Sequence, residues 1–160
     1  MADDLILASA AVEHNRAQRL ELVGLDVEGR TLTLDQTVDR LLANSETLED
    51  VARVLYNLLA GGYSVWTDGC LVNTRALVGT IGSLRIEIRL NEHAPPHFHV
   101  TVGNINASFT VRDCVLLAGK ISRGDRNLVE RWHAGARAML IRKWNDTRPS
   151  NCPVGPISET

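Results

Sequence analysis

The stretch LRIEIRLNEHAPPHFHVTVGNINASFTV, residues 84–111, decides the fold of this chain. Its first seven residues alternate, with Leu84, Ile86, Ile88 and Leu90 on one side and Arg85, Glu87 and Arg89 on the other. A period of two is that of an extended strand with one buried face. NEHAPP cannot continue a central strand, because proline offers no N–H to the ladder and fixes its own φ. HFHVTV resumes the alternation, with Phe98, Val100 and Val102 apolar and His97, His99 and Thr101 polar. Gly103-Asn104 reads as a tight turn, and INASFTV as a third strand that directs Ile105, Ala107, Phe109 and Val111 inward.

An apolar sheet face needs a cover, and the residues that follow supply one. After a loop containing Gly119 and Gly124, Asp125 is placed to cap a helix running to about Trp144. Its stripe of Leu128, Val129, Trp132, Ala136, Met139 and Leu140 has helical spacing. Upstream, residues 1–17 read as a short Ala-rich helix or a loose arm. RLELVGLDV and RTLTL read as two strands joined at Glu28-Gly29. A helix is expected near Asp35, which reads as its N-cap, running to about Ala43, and a second after Ser45 or Thr47, ended by Gly61-Gly62. YSVW and CLV, around Thr67-Asp68-Gly69, read as a short hairpin. The expected fold is α+β: an N-terminal lobe of a hairpin and helices (1–80), then a three-stranded antiparallel meander packed on a C-terminal helix (81–149). The sheet can run on across both lobes. The proline-bearing residues 150–160 read as a disordered tail.

The chain has 160 residues, 44% of them hydrophobic, enough for one core or two small lobes. No apolar run approaches the roughly 20 residues that cross a bilayer. Asp3 and Asp4 are wrong for a secretory signal, so the chain reads as soluble and cytoplasmic, with no membrane partner. The three cysteines, Cys70, Cys114 and Cys152, form no CxxC, and their odd number points to free thiols in a reducing compartment. No Gly-rich phosphate loop, GxSxG or His-Glu-x-x-His is present.

Three of the five histidines, His93, His97 and His99, fall within seven positions. His14 and His133 stand alone. Strand parity puts His97 and His99 on one face, and directly opposed residues of an antiparallel pair share a face. His97 and His99 must therefore face odd-numbered neighbours of the preceding strand. Two registers fit the connection: Glu87 beside His99, or Arg89 beside His99. In both, Arg85, Glu87, Arg89, His97, His99 and Thr101 form one polar patch, which Asn106, Ser108, Thr110 and Arg112 extend.

This patch admits three readings. A solvent-exposed sheet face ordinarily carries such a mixture of Arg, Glu, Thr and Ser. Alternatively, HxxxHxH lets His93, His97 and His99 converge on a divalent zinc, manganese or iron, with Glu92 or Glu87 as an oxygen ligand. Thirdly, cleaving RNA through its own 2′-hydroxyl needs a general base, a general acid and cations for the phosphate. Glu87, His97 and His99 supply the first two, with Arg85 and Arg89 as the cations.

The ten residues Asn91 to Val100, NEHAPPHFHV, closely resemble the signature of a bacterial family, the domain of unknown function 4160. The resemblance runs from about Ile81 to Pro149, through Gly119, Lys120, Val129, Trp132 and Trp144, and covers under half of the chain. It implies a small bacterial protein, often encoded beside a second small protein in the manner of toxin–antitoxin pairs. It singles out His93, Pro95, Pro96, His97 and His99 as the site, with Asn91 and Glu92 as positioning residues. The chain is expected to be a toxin-like component of a bacterial toxin–antitoxin or defence module that acts on RNA or another nucleic acid, with His93, His97 and His99 carrying the chemistry directly or through a metal. His97, His99, Glu87 and Arg89 would then be catalytic, Arg85, Arg89 and Arg112 would contact nucleic acid or a partner, and the partners would be a small antitoxin-like protein and RNA. The rival expectations are a non-catalytic protein- or nucleic-acid-binding module and a metal-binding protein of unknown activity.

The net charge of −2 conceals an asymmetry. Residues 1–83 carry 6 basic and 12 acidic side chains, whereas residues 84–160 carry 11 basic and 7 acidic. The overall balance excludes a histone-like protein and an acidic disordered one. The basic second half suits a site for phosphate or an acidic partner; it equally suits attraction between the two lobes.

Overall fold

In a computed structural model describing residues 8–12, 32–61, 63–73, 84–89, 93–148 and 154–158, the chain begins with strand β1 (Ala8–Val12) and helices α1 (Leu34–Ala43) and α2 (Leu48–Ala60). Strands β2 (Tyr63–Val65) and β3 (Leu71–Asn73) follow, then β4 (Leu84–Ile88), β5 (His97–Val102), β6 (Ile105–Thr110) and β7 (Leu116–Lys120), and last α3 (Arg123–Asp146). The fold is α+β. β2 and β3 form the expected hairpin as a separate two-stranded sheet, while the others make a five-stranded antiparallel sheet in the order β1-β4-β5-β6-β7.

The alternation read from residue 84 onward sets the core. Leu84, Ile86 and Ile88 of β4, Phe98, Val100 and Val102 of β5, and Ile105, Ala107 and Phe109 of β6 are all buried. They share one apolar cluster with Leu128, Val129, Trp132, Ala136, Leu140 and Trp144 of α3, Val51, Leu55 and Leu58 of α2, and Val38 and Leu42 of α1. Each fully buried side chain of this size contributes about 1.5–3 kcal/mol relative to exposure. Phe98 is central, its ring centroid 5.7 Å from that of Phe109 and 6.0 Å from that of Trp132. Trp132 Nε1 donates to the Val51 carbonyl at 2.6 Å, which ties α3 to α2 while satisfying the one polar atom of a buried indole.

Several expectations need correction. The Ala-rich start is neither helix nor arm at residues 8–12. It is a strand on the outer edge of β4, where ladder hydrogen bonds outweigh alanine's local helical preference. The meander has four strands rather than three, because the loop expected around Gly119 is β7. Its largely exposed LLAGK lacks alternation, a bulge at Ser108/Phe109 shifts its register, and Gly119 sits at φ +106°. Most of the hairpin expected over RLELVGLDV and RTLTL lies outside the described residues. Its last residue, Leu34, opens α1 instead.

Cap assignments also shift. Thr33, not Asp35, caps α1: its hydroxyl accepts from the Gln36 N–H at 3.2 Å, and Gln36 Oε1 accepts from the Thr33 N–H at 2.9 Å. Asp35 instead accepts from Arg131 of α3 at 2.8 Å and from the Leu71 N–H at 2.9 Å, joining three elements. Ser122 caps α3, with Asp125 in its first turn and Gly124 inside the helix. Of the residues read as a disordered tail, 154–158 are placed against α3, and 150–153 and 159–160 lie outside the described residues. Within 154–158, Ile157 is buried, and both of its backbone polar groups bond to the Asn145 side chain of α3.

Candidate functional site

The polar face is built by register. Glu87 stands opposite His99, one of the two pairings that strand parity allows, and Arg85 stands opposite Thr101. On the other side of β5, His97 pairs with Thr110, His99 with Ser108 and Thr101 with Asn106. The sheet thereby places Glu87, His99 and Ser108 in one row across three strands, with Arg85 and Arg89 at the rim.

Glu87 is buried to 2% exposure on this face. Its carboxylate bonds the Arg85 guanidinium through Oε1 and lies 3.6 Å from that of Arg89 through Oε2. Both arginines remain about half exposed. One buried anion thus holds two cations side by side with their outer edges turned to solvent, a geometry suited to an anionic oxygen cluster. Arg89 is held from behind as well, since Arg148 donates to its carbonyl while stacking at 3.7 Å over the Trp144 ring.

Beside this trio the three imidazoles form a series. The His93 and His97 ring centroids are 5.1 Å apart, and those of His97 and His99 are 5.0 Å apart, meeting edge to face. His93 is exposed, His99 half-buried and His97 buried at 3% exposure. His97 Nδ1 lies 2.7 Å from the Pro95 carbonyl. A carbonyl only accepts, so Nδ1 carries the proton, and in the neutral ring Nε2 is the basic nitrogen. The Pro95-Pro96 turn therefore orients the histidine that follows it. His93 Nδ1 meets the Ala94 carbonyl at 2.9 Å in the same manner.

Of the expected metal set His93, His97 and His99, two rings use Nδ1 on the carbonyls of Pro95 and Ala94. Among the described residues no three His, Cys, Asp or Glu side chains come together to hold a metal ion. Asn91 and Glu92 lie outside the described residues. Arg112 is not in the row of arginines: it follows β6, and its guanidinium donates to the Ser158 carbonyl at 3.3 Å.

His133 belongs to the core rather than the site. Its Nε2–H donates to the Val111 carbonyl at 2.7 Å, and its ring stacks on Phe98. Burial pushes its pKa down. Cys114 is likewise inert, since burial pushes its thiol up to about 12. Arg148 and residues 154–158 escaped the sequence reading, and Pro95 is singled out there without the role of its carbonyl. Only the Pro-Pro dipeptide beside a histidine offered a signal for any of them. Among the described residues no helix is long and apolar enough to cross a membrane.

Residues 84–145 match the family described as a domain of unknown function (DUF4160). No curated protein and no solved structure matches the chain.

Proposed function

Residues 84–145 belong to the DUF4160 family, and from that premise we propose that this chain is a toxin-like component of a bacterial toxin–antitoxin or defence module whose sheet face cleaves RNA without a metal. The observation that carries the reading is the series His93–His97–His99, spaced about 5 Å ring to ring beside two guanidiniums fixed on Glu87. His97 Nε2 takes the proton of a ribose 2′-hydroxyl, and that oxygen attacks the adjacent phosphorus. The bond from phosphorus to the 5′-oxygen breaks, and His99 in its imidazolium form gives that oxygen its proton. The products are a 2′,3′-cyclic phosphate and a free 5′-hydroxyl. Arg85 and Arg89 stabilise the charge on the non-bridging oxygens. Glu87 is a positioning residue here, because it is engaged by both arginines.

A second reading, a non-catalytic module that holds RNA or a partner protein, draws on the burial of His97 and Glu87 to 3% and 2% exposure. One assay separates the two. Single-stranded RNA incubated with purified protein, with and without chelator, is expected to yield cyclic-phosphate ends in both cases, and the 2′-deoxy analogue is expected to stay intact. Salt-dependent RNA binding without cleavage selects the binding module. The absence of both binding and cleavage overturns the RNA reading altogether.

A further inference from the structure

Next to the histidine series lies a cleft of about 380 Å³, lined by Pro95, Pro96, Thr110, Arg112, Asp113 and residues 155–158. It adjoins the site through two of these residues, since the Pro95 carbonyl holds His97 Nδ1 and Thr110 pairs with His97 across β5 and β6. We propose that this cleft is a nucleobase subsite that selects guanine in the RNA strand engaged by the His–Arg face. The inference rests on the RNA reading above and adds the base that the site reads.

The lining fits that ligand. Pro95 and Pro96 bring flat, apolar ring faces, and Ile157 adds a buried apolar side chain from the opposite wall. The volume lies in the range that encloses a small ligand. Asp113 is exposed at the rim and accepts hydrogen bonds only. Its two oxygens match the adjacent N1–H and N2–H donors of guanine, whereas cytosine and adenine each offer a single exocyclic amino group there. Arg112 brings a positive charge to the same cleft while its guanidinium donates to the Ser158 carbonyl.

The far wall is built rather than incidental. Asn145 Nδ2 donates to the Ile157 carbonyl at 2.9 Å, and the Ile157 N–H donates back to Asn145 Oδ1 at 2.7 Å. Trp144 Nε1 donates to the Gly155 carbonyl at 3.3 Å, and Arg112 donates to that of Ser158. These four bonds hold a segment remote in sequence opposite the Pro-Pro turn.

The test is titration of the full chain with each of the four nucleoside 3′-monophosphates, followed by calorimetry, for wild type, Asp113→Ala, Asp113→Asn and Asn145→Ala. Guanosine 3′-monophosphate is expected to bind at least tenfold more tightly than the other three. Both Asp113 substitutions should abolish that preference with the melting temperature unchanged, and Asn145→Ala should weaken binding of all four. Equal binding of the four nucleotides, or a guanine preference untouched by Asp113→Ala, overturns the subsite. If RNA is still cleaved or bound in that case, the subsite alone has failed. If neither RNA nor any nucleotide binds the wild type, the RNA reading has failed and the subsite with it.

Discussion

Glu87 of β4 and His99 of β5 are directly opposed across the two central strands, and the Glu87 carboxylate is shared between Arg85 and Arg89. Replacing the acid by its amide leaves two guanidiniums facing each other without the anion between them. Glu87→Gln is expected to lower stability by about 1–3 kcal/mol, the scale for leaving a hydrogen-bonding group without its partner. Released from the carboxylate, Arg85 and Arg89 should also bind RNA with a steeper salt dependence. Urea denaturation and binding isotherms at several salt concentrations read the two effects; an unchanged midpoint would show that the trio contributes nothing.

His97 and His99 should separate by their effect on folding. His97 is buried and bonded to the Pro95 carbonyl, so His97→Ala should cost about 1–3 kcal/mol as well as activity. His99 is half-buried, and His99→Ala should leave the melting temperature within a few degrees of wild type. For RNA cleavage each is expected to cost roughly 10²–10⁴-fold, the usual worth of a general acid or base. Cleavage that survives His99→Ala would remove that residue from the chemistry.

Gly119 is fixed by its backbone. It sits at φ +106°, and a Cβ built there would overlap the Asn106 carbonyl oxygen. The obstruction is backbone, so no side-chain rotation relieves it. Gly119→Ala is expected to destabilise by roughly 2 kcal/mol or more and to loosen β7 from β6. Amide exchange should rise first at Ala118 and Lys120, and a wild-type exchange pattern would contradict the close approach.

His133 sets an acid limit on stability. Burial, with a smaller push from Arg137, lowers its pKa in the fold; the Val111 carbonyl and Asp113 oppose this. The unfolded chain takes up a proton near pH 6.5 while the folded chain still refuses it. Stability from this residue is therefore complete above about pH 6.5 and declines as pH falls toward the lowered folded value. Melting temperatures from pH 7.5 to 5 should fall less steeply in His133→Gln than in wild type. Parallel curves would exclude His133 as the cause.

Parity and spacing are local properties, and they were readable from residue order alone. The alternation of Leu84 to Val111 fixed which side chains share the polar face, the turn at Gly103-Asn104, and the apolar stripe of α3 that covers the other face. Parity could not choose between Glu87 and Arg89 as the neighbour of His99, because slipping the register by two residues leaves every side chain on its own face. That choice, and with it the placement of Glu87 between its arginines, came from the folded pairing of β4 with β5. Long-range association also decided β1, β7 and the docking of Ile157 on Asn145. These segments carry little periodic signal of their own, and they are ordered by hydrogen bonds to partners remote in sequence, whose positions only the assembled sheet and helix define.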